Sequence, residues 1–128
     1  HPERLLSTGK LDRADLSVHA RVELVAGPTG YKGSTGISEL MKLPDGRVLI
    51  LAVALRPKTD SADSVGDWSA MYLVPAPGGA GDWNARKIRD FPGLKAEGVA
   101  MGPDASALTV VFDRDADVPR WMRVEVPQ

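Results

Sequence analysis

The sequence predicts an all-β fold of antiparallel strands, on three observations. Its 13 glycines and 10 prolines interrupt the chain about every eight to twelve residues, and the runs between them are rich in Val, Leu, Ile and Thr, the spacing of short strands joined by turns. Leu43-Pro44-Asp45-Gly46-Arg47 is a turn with a mechanism: Pro presets φ, Asp bonds the backbone beyond it, and Gly accepts positive φ. Two stretches, Ile37 to Leu51 and Ala96 to Phe112, repeat one pattern: a glutamate opening an apolar strand, a Pro-Asp turn, then a β-branched strand.

Taken in order, strands are expected at Val18 to Ala26, Ile37 to Leu43, Arg47 to Arg56, Ala70 to Pro75, Asn84 to Phe91, Ala96 to Met101, Leu108 to Asp113 and Arg120 to Val126. The run Val48 to Leu55 is apolar throughout and reads as a buried strand; it is far short of the roughly 20 residues that cross a bilayer. Helix has support only at Lys10 to Leu16, as a single turn. In the second copy Gly102-Pro103-Asp104-Ala105-Ser106 puts Ala where the first has Gly and inserts one residue, which keeps the turn but specifies it less tightly.

Grouped by repeat, the strands form an N-terminal region (1–33), a first unit (34–91) of four strands and a second, incomplete unit (92–128) of three, all within one domain of 128 residues. Four antiparallel strands joined as a meander make a β-propeller blade. A blade takes about 40 to 50 residues and a ring at least about four blades, so this chain holds too few to close one. It is expected to be a fragment or an assembling segment, with self-association or further chain closing the ring. The strand Val18 to Ala26 is the candidate for the missing outer position, and a self-contained small sandwich is the alternative architecture.

Net charge is −1 and no Lys/Arg cluster exceeds two residues, so neither nucleic acid nor a membrane surface is an expected partner. The first 16 residues show no charged-then-apolar leader with a cleavage site. Without cysteine there is no disulfide, thiolate nucleophile or Cys-ligated zinc, which suits either redox compartment.

The two glutamates, Glu39 and Glu97, lie 58 residues apart. Alternation would put Glu39, Met41 and Leu43 on one face and Glu97, Val99 and Met101 on the corresponding face of the second copy. In a meander the inner-strand start and the loop between the second and third strands share one end. That end should therefore gather Glu39, Glu97, the loop Arg56 to Asp67, and Asp113. Converging carboxylates suit a hard cation such as Ca²⁺, with its six to eight oxygen ligands. The alternative for each glutamate is structural, accepting backbone N–H bonds from a neighbouring loop; Gly98 leaves room at Glu97 for a close approach.

Asp113 to Asp117 is no EF-hand, because Val118 and Val124 stand where Gly and Glu are needed. His1 and His19 fit no metal or triad spacing, and Gly78-Gly79-Ala80-Gly81 has no following helix to make a phosphate cradle. Gly66-Asp67-Trp68 and Gly81-Asp82-Trp83 are expected to be turns followed by a packing anchor, and Trp121 to be core or interface material.

At Lys95-Ala96-Glu97-Gly98-Val99-Ala100, followed by Pro103-Asp104 and Val110-Val111-Phe112-Asp113, the chain resembles bacterial six-bladed propellers: the esterase-like domain of phytase-like proteins and, more distantly, gluconolactonase-type propellers. The similarity spans about residues 34 to 126. It implies a metal-assisted hydrolase of phosphoesters, esters or lactones, with Glu97 as catalytic metal ligand and a periplasmic or secreted address. Val99 stands where those families place a proline, and Glu39 is followed by Leu40 rather than Gly. The residues themselves hold two functions open: this hydrolase, with Glu97, Glu39 and Asp113 near a divalent cation, or a non-catalytic binding propeller segment working through the loops Arg56 to Asp67 and Val74 to Trp83.

Overall fold

The computed structural model describes residues 18, 20–55, 68–75, 81–103, 106–113 and 118–126. The expected turn at Lys10 to Leu16, both histidines, the loop 56–67, the glycine-rich tip 76–80 and the acidic run 114–117 lie outside them. The described chain is all-β: β1 (Ala20–Val22), β2 (Thr35–Lys42), β3 (Val48–Ala54), β4 (Trp68–Val74), β5 (Gly81–Trp83), β6 (Arg86–Pro92), β7 (Lys95–Met101), β8 (Ala107–Asp113) and β9 (Arg120–Glu125).

Two open antiparallel sheets stack face to face. The first has the order β2-β3-β4-β6, the second β7-β8-β9. These are the two strand groups of the sequence repeat, one of four strands and one of three. The hairpin turn forms as its residues dictate. Gly46, at φ 88°, donates its N–H to the Leu43 carbonyl (3.0 Å), and Asp45 Oδ1 accepts from the Arg47 N–H (3.0 Å). A turn at Phe91-Pro92-Gly93-Leu94, with Gly93 at φ 71°, joins β6 to β7 and so links the sheets. Pro followed by a positive-φ glycine is the type II arrangement.

The front of the first sheet and the back of the second share one core of Leu49, Leu51, Met71, Leu73, Phe91, Ala96, Leu108, Val110, Phe112 and Val124. Phe91 and Phe112 meet edge to face across it, with ring centroids 5.2 Å apart. The back of the first sheet buries Ile50, Ala52, Ala70, Tyr72 and Val74 beneath Val22, Leu24, Ala26 and Trp83. Because both faces of β3 and β4 are covered, β3 reads as an unbroken apolar run and β4 as one interrupted only by Ser69. Trp83 is thus an anchor, as expected, but Gly81 and Asp82 form strand β5 with it and not a turn before it.

The N-terminal strand departs from expectation. It is only three residues long and pairs in parallel with β5, leaving the outer edge of β9 unoccupied by it. Tyr72 holds the chain beyond β1 in place: its hydroxyl donates to the Val25 carbonyl (2.7 Å) and accepts the Val25 N–H (2.9 Å). A side chain at Gly27 or Gly33 would run into the Tyr31 ring, which folds back between them.

The repeat is real in the ladders, but its register is one residue longer than the spacing of the glutamates. Each inner strand carries a bulge: between Ile37 and Glu39 opposite Ala52 and Leu51, and between Ala96 and Gly98 opposite Phe112 and Val111. Aligned on the bulges, Ile37 corresponds to Ala96, Leu40 to Val99, Leu51 to Val111, and Glu39 to Gly98, not to Glu97. The shared-face expectation fails for the same reason. Met41 and Leu43 lie on the front of the first sheet, whereas Val99 and Met101 lie on the back of the second, and all four line the core between the two.

Candidate functional site

Inner-strand start, β3 end and β4 start do share one end of the first sheet, since Thr35 pairs with Ala54 and Ser69 with Val53. In the second sheet Lys95 pairs with Asp113 at the equivalent end. Ser69 joins the two ends. Fully buried in β4, its hydroxyl donates to the Leu94 carbonyl (2.6 Å) and accepts the Ala96 N–H (2.6 Å). It therefore grips the backbone on both sides of Lys95.

Lys95 is what the carboxylates of this end converge on. Its Nζ lies 2.6 Å from Glu97 Oε1 and 3.5 Å from Asp113 Oδ2. The geometry follows from the bulge: extruding Glu97 from the ladder returns its side chain to the neighbourhood of Lys95, two residues back, and of Asp113 opposite. The Glu97 carboxylate holds the ammonium above the ordinary lysine range, with Asp113 adding to it and partial desolvation opposing. All three side chains remain substantially open to solvent.

Of the three residues expected to hold a cation, Glu97 and Asp113 are thus brought together and Glu39 is not. Glu39 Oε1 accepts the N–H of its own neighbour Leu40 (3.0 Å), a bond within its own strand and not to a neighbouring loop. Among the described residues no group of three or more His, Asp or Glu side chains could hold a metal ion. Chemically, the Lys95 cluster can neutralise itself, present a polar edge, or exchange its internal cation for an external one.

No family model matches the chain, and no curated protein or solved structure matches it.

Two clefts among the described residues lie away from that cluster. One, of about 870 Å³, is lined by Arg21, Glu23, Asp82, Trp83 and Asn84 around the β1–β5 pair, across the first sheet from Lys95. The other, of about 460 Å³, lies on the open front of the second sheet among Thr109, Val111, Pro119, Arg120 and Trp121. Trp121 is not core: it is an exposed aromatic on that front. Ser69 and Lys95 were not identified from sequence. A lone serine in an apolar strand was the available signal for the first, and a lysine two residues before the repeated glutamate for the second.

Proposed function

We propose that this chain is a non-catalytic interaction segment of propeller type, two blade-like sheets that bind through exposed surface. Support for the blade reading is the direction of stacking. Equivalent positions do not face each other across the interface: Leu51 and Ala96 enter it while their counterparts Val111 and Ile37 face away, so the sheets pack front to back, as successive blades do, and not as mirror-like halves of a sandwich.

The observation that carries the non-catalytic reading is Lys95 between Glu97 and Asp113. A cation bound by those carboxylates must first displace an ammonium whose backbone is fixed by Ser69. The test is calorimetric titration with Ca²⁺, Mg²⁺ and Zn²⁺, alongside turnover of simple phosphoester, ester and lactone substrates. Expected are no saturable binding and no turnover that Glu97→Gln abolishes. Saturable binding and turnover that both vanish in Glu97→Gln would overturn the reading.

The second reading is a metal-assisted hydrolase, or part of one, with Glu97 and Asp113 at a divalent cation, Ca²⁺ first among candidates, that polarises a substrate or activates water. It is favoured by the convergence of those two residues on one cationic point. Under it, Lys95→Met should raise cation affinity at least tenfold. A small ester or phosphoester would be its substrate, and a periplasmic or secreted address belongs to the same reading.

A further inference from the structure

The ladder registers make the repeats comparable position by position, and the comparison singles out two surfaces. On the front of the first sheet Leu51 and Met71 pair, and both are fully buried against the second sheet. Their counterparts on the front of the second sheet, Val111 and Trp121, also pair, and are 42% and 71% exposed. On the back of the second sheet Ala96 is fully buried and Val99 packs against the shared core. Their counterparts on the back of the first sheet, Ile37 and Leu40, are 51% and 50% exposed. The β1–β5 cover reaches Ile50, Ala52 and Tyr72 but leaves Ile37 and Leu40 open. Each open patch therefore repeats, residue for residue, one half of an interface that already exists inside the molecule.

From this we infer that the Val111/Trp121 front and the Ile37/Leu40 back are complementary halves of a second interface, and that the occupant of each is another copy of this chain, stacked head to tail. The internal sheet-on-sheet contact is the template: front of one sheet on back of the next. Such a contact is heterologous, since the patch on one copy meets a different patch on its neighbour, and repeating it gives a ring where the rotation closes and a filament where it does not. Charge does not oppose it. The second sheet's front carries Lys95 beside Glu97 and Asp113 at one end, and Arg123 and Glu125 at the other, and the first sheet's back carries the Lys87–Asp90 pair (3.1 Å), so both signs are present on both faces. The inference rests on the interaction reading above and names its partner.

Heterologous pairing has a signature that other modes lack. In sedimentation velocity the wild-type chain should show a mass that rises with concentration above 13.7 kDa. Trp121→Glu spoils only the front and Leu40→Glu only the back, so each variant alone should stay monomeric. Mixed in equal amounts they retain one intact pair of patches and should form a 1:1 dimer of twice the monomer mass. Val111→Lys and Ile37→Lys serve as second variants should either glutamate lower the urea midpoint.

A wild type monomeric at several hundred micromolar would overturn the inference. So would association lost in Trp121→Glu, retained in Leu40→Glu and not rescued by mixing, which signals self-pairing of one face. Neither result touches the interaction reading, which falls only if Glu97-dependent cation binding and turnover are found.

Discussion

Replacing Ser69 by alanine removes one oxygen from a site with no access to solvent, and the consequence can be worked from the two bonds it makes. The Ala96 N–H, also fully buried, points at Ser69 Oγ from 2.6 Å, and the Leu94 carbonyl accepts from the same oxygen at 2.6 Å. Stranding a buried backbone donor costs roughly 1–3 kcal/mol. The Leu94 carbonyl loses its donor too, but belongs to a residue that is only half-buried and adds less. The methyl of alanine fits without clash, so no strain offsets or enlarges the loss, and the sum is about 2 kcal/mol, a factor of about 30 in the folding equilibrium. Urea unfolding monitored by tryptophan fluorescence should show the midpoint fall with the slope unchanged. Hydrogen exchange at the Ala96 amide should accelerate well beyond that of its ladder neighbours. A loss under about 0.5 kcal/mol, or an Ala96 amide as protected as before, would refute the claim that this hydroxyl ties the sheets together.

Other substitutions test the remaining ties. Tyr72→Phe keeps the ring in its core and removes both bonds to Val25, so about 1 kcal/mol should be lost and protease should cut sooner near Val25. Gly46→Ala forces a Cβ into a φ of 88°, at a cost of about 1 kcal/mol in urea unfolding. Phe91→Ala opens the sheet-to-sheet core opposite Phe112 and should cost about 3–5 kcal/mol, unfolding both sheets in one transition. Hydrogen bonding from Arg47 holds the Asp45 carboxyl below its ordinary value of 3.8. A depressed acid stabilises the fold above the unfolded-state value and loses that effect as pH falls through the folded one. The stability gap between wild type and Asp45→Asn should therefore be constant from neutral pH to about 5 and close below 3.8, as pH-dependent urea midpoints would show.

Eight of the nine strands were legible, seven because each buries enough apolar surface to leave a periodic or continuous trace and β1 inside the longer span Val18 to Ala26; the Pro44-Asp45-Gly46 turn was legible because each residue has one conformational task there. What stayed hidden has a common physical character. A bulge consumes a residue without altering composition, so nothing local showed that Glu97 is extruded while Glu39 stays in register with Leu51. The parallel β1–β5 pair is too short for periodicity and joins segments far apart in the chain. Lys95 was passed over because a charge two residues from a carboxylate in an ideal strand shares its face without special proximity; the bulge brings them into contact. Ser69 resembled any small residue in a buried strand until its partners on the other sheet were visible.

The turn at Pro92-Gly93 has a consequence for size and shape. It limits how far the second sheet can rotate relative to the first, because only Gly93 and Leu94 stand between the last pairing of β6, Pro92 with Trp68, and the first of β7, Lys95 with Asp113. In any longer array made by repeating this step, curvature is the accumulation of that one angle. One residue added there would alter the pitch of the whole array while leaving every sheet intact.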